Sequence, residues 1–222
     1  AIDYLPSRPE VDSEKIGCAG HSGGGTMTQF ITVADPRVKC AAILEGGTAN
    51  MWPTQSIGAD DMEQNLFPAS IYGIDNVDLQ AAIAPRPLLA GIEHYSEDFD
   101  NAAHAIQVRY KQLGAEDKFA AVAADDPHAW TPKLRLATTD WFCRSFYGRK
   151  GPSEMTTYEV SRPEDLYCTP DGSLRYSKKG TTIFSIITEK GALLPPQPSN
   201  PKTASELTGY QRGVRDQVRS LL

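Results

Sequence analysis

The sequence predicts an α/β fold built on a parallel sheet. Short apolar runs recur along the first 150 positions, without the polar alternation of a half-exposed strand. Stretches of helical spacing separate these runs, and Gly and Pro mark their boundaries. The resulting order is strand, helix, strand, long excursion, strand, helix, strand, helix, which is the sequence signature of parallel strands joined by crossovers.

Lys15-Ile16-Gly17-Cys18-Ala19-Gly20 suits a buried strand. After Gly23-Gly24-Gly25, residues 26–34 form a helix closed by Asp35-Pro36. Val38 to Leu44 is the second strand. Residues 46–80 are irregular, and their length suggests a lid or binding loop over 48–80, with Met51, Trp52, Met62 and Phe67 lining a pocket. Pro85-Arg86-Pro87 leads into the third strand, Leu88 to Ile92. A helix follows from Asp100, its N-cap, to Leu113, with Gly114 as the stop. Phe119 to Ala123 is the fourth strand, and Pro132 to Tyr147 is a helix.

The character changes near Gly148-Arg149-Lys150-Gly151-Pro152, so two domains are expected, 1–150 and an extension at 151–222. In the extension, Thr156 to Val160 and Thr181 to Ile187 read as strands, with Pro170-Asp171-Gly172 as a turn between them. Pro195-Pro196-Gln197-Pro198 is a stiff linker. Ala204 to Leu222 is an amphipathic helix, with Leu207, Tyr210, Val214, Val218 and Leu221 on one face. The chain opens inside a helical pattern and ends in one, so a piece of a longer protein is expected.

Composition excludes several classes. Of the 222 residues, 40% are hydrophobic and 23% charged, which is inconsistent with disorder, a coiled coil or a collagen repeat. The net charge is -6, with no basic cluster, so neither nucleic acid nor a membrane surface is expected as a partner. The charge-free stretch from Ile16 to Ala34 holds too many Gly and Thr for a membrane span. Cys18, Cys40, Cys143 and Cys168 make no C-x-x-C pair, so no metal is expected and all four are expected as free thiols.

Chemistry concentrates at Gly20-His21-Ser22-Gly23-Gly24, a G-x-S-x-G pattern. It lies between a buried strand and a helix, where a sharp turn needs small neighbours and lifts the serine Oγ above the strand ends. The turn also turns the Gly23 N–H and the helix N-terminus toward a developing oxyanion. Ser22 is thus the candidate nucleophile and Gly23 the oxyanion donor. Among the four His, His128 falls in the loop after the fourth strand, where an imidazole can take the Ser22 proton. His21 is expected to face away, His104 to lie on a helix surface, and His94 to close the third strand. The acid that orients His128 is expected in the loop Glu93-His94-Tyr95-Ser96-Glu97-Asp98-Phe99-Asp100, at Asp98, with Glu97 and Glu45 as alternatives.

On these motifs the chain resembles the α/β-hydrolase superfamily, and within it the acetyl-xylan-esterase-like and dienelactone-hydrolase-like serine esterases. RPEVDSEKIG, GHSGGG, DPRVKCAAI, DMEQNLFP, APRPLL and PEDLYCTPDGSL carry the resemblance. It implies a parallel sheet of the α/β-hydrolase type, lacking the N-terminal strands and followed by a C-terminal appendage. It also implies a serine carboxylester hydrolase that needs no cofactor or metal, with Ser22 as nucleophile, His128 as base and Gly23 as oxyanion donor. Glu45 in Leu44-Glu45-Gly46-Gly47 resembles the acid of glucuronoyl esterases. A small ester or acylated carbohydrate is the expected substrate, and a second copy or a complementing N-terminal half the expected partner. Two other readings share these residues: a weakly active or non-catalytic hydrolase-fragment scaffold, and a peptidase of the prolyl-oligopeptidase type. The compartment is not legible.

Overall fold

The computed structural model describes residues 2–47, 69–93, 95–157, 159–193 and 201–221. They fall into two units, Ala1–Thr157 and Tyr158–Leu222. His94, the 195–198 linker and most of the expected lid, including Met51, Trp52, Met62 and Phe67, lie outside the described residues.

The first unit contains four parallel strands in the order β1-β2-β3-β4: β1 Gly17–His21, β2 Cys40–Leu44, β3 Leu88–Ile92 and β4 Phe119–Ala123. Helices α1 (Gly23–Ala34), α2 (Asn76–Ala81), α3 (Glu97–Gln112) and α4 (Pro132–Tyr147) connect and flank them. α2 interrupts the excursion expected to be irregular throughout. Asp75 and Asp78 start it with a reciprocal capping box.

β2 and β3 are buried along their whole length, as the continuous apolar runs predict for a sheet covered on both faces. Their side chains alternate between two layers. Ala41, Ile43, Leu88, Ala90 and Ile92 pack with Phe99, Ile106 and Tyr110 of α3. On the opposite face, Leu44 packs with Leu134 of α4. There, burial pushes the Cys40 thiol up to about 11. All four cysteines are free thiols.

One half-buried cation ties the first layer together. Arg86 donates to the carbonyls of Thr32 at 2.6 Å, Val38 at 2.7 Å and Asp35 at 3.1 Å. These belong to the last turn of α1 and the chain leaving it, so the guanidinium satisfies carbonyls that a helix end leaves without partners. Tyr110 of α3 in turn donates to the Arg86 carbonyl at 2.8 Å.

The second unit is helical where strands were expected. Residues 181–187 do not form a strand; α6 (Ile183–Ala192) does form, following the short α5 (Leu174–Lys178). The β-branched residues suggested a strand, but Thr182 and Ser185 make a capping box that nucleates a helix instead. Nor is there a strand among the described residues of 156–160. The Pro170-Asp171-Gly172 turn is present, with Gly172 N–H donating to the Thr169 carbonyl at 3.0 Å. Asp171 Oδ1 gathers Thr169 Oγ1, the Ser173 N–H and Ser177 Oγ. The last helix, α7 (Ala204–Leu221), carries Leu207, Tyr210, Val214 and Val218 on one partly exposed face. No helix among the described residues is long and apolar enough to cross a membrane.

Candidate active site

Three strands end on a residue with chemical potential. Ser22 follows β1, Glu45 follows β2 and Glu93 follows β3. The ladder extends one step past the strands and holds this row in place. Ser22 N–H donates to the Leu44 carbonyl at 2.9 Å, and Glu45 N–H to the Gly91 carbonyl at 2.8 Å. All three residues therefore sit at the carboxyl edge of the sheet, where ligands bind in open α/β folds.

Ser22 joins β1 directly to α1 with φ 56° and ψ -126°, a conformation costly for a non-glycine residue. It occupies the N-cap position, yet its side chain makes no capping bond. The turn requires α1 to lie almost against the sheet. A Cβ at Gly20 would fall 2.0 Å from the Gly24 carbonyl oxygen, and one at Gly46 would fall 2.6 Å from the Ser22 carbonyl oxygen. Both positions accept only glycine unless backbone shifts.

Glu93 is the hub of the edge. Its side chain is 0% exposed, and its Oε2 lies 2.7 Å from His128 Nδ1. Its Oε1 accepts from the Ala129 N–H at 2.9 Å and contacts His21 Nε2. The Glu93 N–H donates to Glu45 Oε2 at 2.8 Å. The two imidazole rings that share the carboxylate have centroids 4.8 Å apart. His128 stands in the Ala124–Thr131 loop after β4 with 55% of its side chain exposed, while His21 is only 15% exposed.

This arrangement corrects the sequence reading at several points. The carboxylate on His128 is Glu93, not Asp98. Ser96, not Asp100, caps α3, accepting from the Phe99 N–H at 3.2 Å. An earlier helix start places Glu97 and Asp98 in the first turn, exposed, where acidic residues complement the helix dipole. Asp100 accepts a hydrogen bond from Tyr95 Oη. Glu45 supports the Glu93 backbone, and no hydrogen bond joins it to His128 among the described residues. His21 does not face away, because its ring reaches the same carboxylate. His104 is exposed on α3, as expected. Among the described residues, no hydrogen bond joins Ser22 Oγ to His128. The sequence signal for Glu93 is its position: it is the first residue after its strand, as Ser22 and Glu45 are after theirs.

His21, Glu93 and His128 present three donor atoms within 4.8 Å of one another, a set that could hold a metal ion. Their mutual hydrogen bonds already account for that closeness.

Comparisons with known proteins agree with this fold. Residues 1–81 match the family model described as the BAAT / acyl-CoA thioester hydrolase C terminal. The chain is 26% identical over 144 residues to YtaP of Bacillus subtilis (strain 168), named a hydrolase, a match covering 61% of this chain and 47% of that protein. Among solved structures, it is similar to a carbohydrate esterase family 15 glucuronoyl esterase from Caldicellulosiruptor kristjansonii, with a TM-score of 0.56 and 18% identity, covering 72% of this chain and 51% of that one. It is also similar to the methylesterase BT1017, with a TM-score of 0.51 and 26% identity, covering 65% and 33% of the two chains. The chain thus spans about half the length of the first relatives it matches. A four-stranded parallel sheet covered on both faces, together with these likenesses, shows a fold of the α/β-hydrolase type.

Proposed function

We propose that this chain carries the catalytic residues of a serine carboxylester hydrolase. Ser22 Oγ attacks the ester carbonyl while His128 Nε2 takes its proton. Glu93 accepts the His128 Nδ1–H, which fixes the tautomer that leaves Nε2 basic. The Gly23 N–H, at the start of α1, donates to the oxyanion. The imidazolium then protonates the departing alcohol, and water, deprotonated by the same imidazole, releases the acid from Ser22.

The observation that carries this reading is the 2.7 Å contact between His128 Nδ1 and the buried Glu93. The His21 ring, adjacent in sequence to Ser22, lies beside His128 and ties that imidazole to the serine turn. The Ser22–His128 bond would close on substrate binding, since such bonds are commonly long in empty sites.

The substrate class we propose is a carboxylic ester on a carbohydrate. The esterase names among the structural neighbours support this, as does one neighbour solved with methyl 4-O-methyl-β-D-glucopyranuronate. The test is labelling by a fluorophosphonate probe, followed by turnover of p-nitrophenyl acetate, a methyl glucuronate ester, an acetylated xylo-oligosaccharide and a p-nitroanilide. Labelling should be lost in Ser22→Ala, and esters should turn over faster than the anilide. A Ser22→Ala protein that labels as well as the parent would refute the nucleophile. Preferred anilide cleavage would favour a peptidase, and a folded chain that neither labels nor turns over esters would favour a scaffold.

A further inference from the structure

We infer that His21 is a positioning residue, acting on His128 through the carboxylate they share; its catalytic consequence rests on the function proposed above. A triad needs one imidazole on its acid, and here a second occupies the other oxygen. Glu93 Oε2 meets His128 Nδ1, while Oε1 meets His21 Nε2 and the Ala129 N–H. Each oxygen therefore has its own donors.

This division has a mechanical effect. A glutamate side chain rotates easily about its last torsion. Two donors on Oε1 fix that rotation and hold Oε2 against His128. One of them, Ala129 N–H, belongs to the His128 loop and moves with it. His21 is different: it sits at the end of β1, a rigid strand, and adjoins Ser22 in sequence. The carboxylate is thus registered to the strand that carries the serine. Without His21, the acid and base could shift together relative to Ser22.

The effect is also electrostatic. Glu93 is fully buried, and among the described residues its ion-pair partners are the two histidines, with no Lys or Arg. Glu45 brings a second carboxylate to the Glu93 backbone. An N–H bond to a buried anion is worth more than a neutral one. Removing the His21 donor would leave Oε1 with the backbone N–H alone.

The geometry specifies what should replace histidine. The contact uses Nε2, the far ring nitrogen. Glutamine can present an N–H donor at a similar reach; alanine cannot. His21→Ala should lower kcat about tenfold with KM nearly unchanged, the scale of one lost hydrogen bond to a charged group. His21→Gln should recover most of that loss.

A second measurement is independent of turnover. In the full chain, the Nδ1–H proton of His128 should give a low-field NMR resonance, assigned by its disappearance in His128→Gln. In His21→Ala this signal should broaden or move upfield, and in His21→Gln it should remain near its original position. If His21→Ala leaves the signal unmoved, or Gln and Ala behave alike, the inference is wrong. If the signal responds as expected but the parent chain hydrolyses no ester, the proposed function fails while this inference stands.

Discussion

A carboxylate without solvent contact must find all its stabilisation in fixed donors, and Glu93 does so at the edge of the sheet. Glu93→Gln retains the shape but can offer an amide N–H to His128 and favours the wrong tautomer. Its kcat should fall by up to about 10⁴. Asp98→Asn, on an exposed helix turn, should stay within about twofold of the parent. Steady-state kinetics on p-nitrophenyl acetate separate the two. An inactive Glu45→Gln beside a fully active Glu93→Gln would transfer the acid role to Glu45. The sharp turn at Ser22 and the loop position of His128 were legible because a G-x-S-x-G pattern and a histidine between a strand and a helix announce themselves locally. Glu93 was not, because a helix capped at Asp100 leaves Asp98 in the preceding loop, whereas Ser96 caps the helix and draws Asp98 into its first turn. The usable signal was registration: residues one step beyond neighbouring parallel strands stand in a row.

Elements are fixed by contacts that periodicity cannot show. Arg86 stands between two prolines in the sequence, yet its side chain closes the end of α1. Arg86→Met keeps much of the stem but leaves the Thr32 and Val38 carbonyls without this donor. Urea unfolding should show a loss of about 2 to 4 kcal/mol; a loss under half of that would mean water or backbone replaces the guanidinium. The strands and helices of the first unit were legible because buried parallel strands give unbroken apolar runs. Residues 181–187 combine β-branched side chains with a capping box at Thr182, and the cap prevails.

Cys40 supplies a pH test at the same scale. Its folded value of about 11 lies above the ordinary 9.0, so the unfolded chain loses this proton first. Stability from this group is complete below about 9 and is lost as the pH rises to about 11. Tyr110, also pushed up by burial, adds to the decline at higher pH. Thermal melts should therefore fall across this window, and Cys40→Ala should flatten the part of the slope due to the thiol. An unchanged slope in that variant would assign the decline elsewhere.

At the scale of the molecule, the sheet is asymmetric. β2 and β3 are wholly buried, whereas β1 has an exposed Gly17 and partly exposed Cys18, Ala19 and His21. β1, the strand that leads into Ser22, is one of the two end strands of the described sheet. Its residues Gly-Cys-Ala-Gly-His include neither Lys nor Pro, the usual protections of an edge. Backbone groups on the side left unpaired among the described residues should recruit another strand. The isolated chain should accordingly sediment as a dimer or larger species at micromolar concentration. Ala19→Lys, which places a charge on that strand, should shift it toward monomer while far-UV circular dichroism is retained. Recruitment also bears on the proposed catalysis, because Gly23 is the one backbone donor that proposal assigns to the oxyanion, and lack of a second donor typically costs about 10²–10³ in kcat. Esterase turnover by the isolated chain should then be weak. A chain that sediments as a monomer and turns over p-nitrophenyl acetate at an undiminished rate would show that β1 tolerates its free edge and that the oxyanion is already fully held.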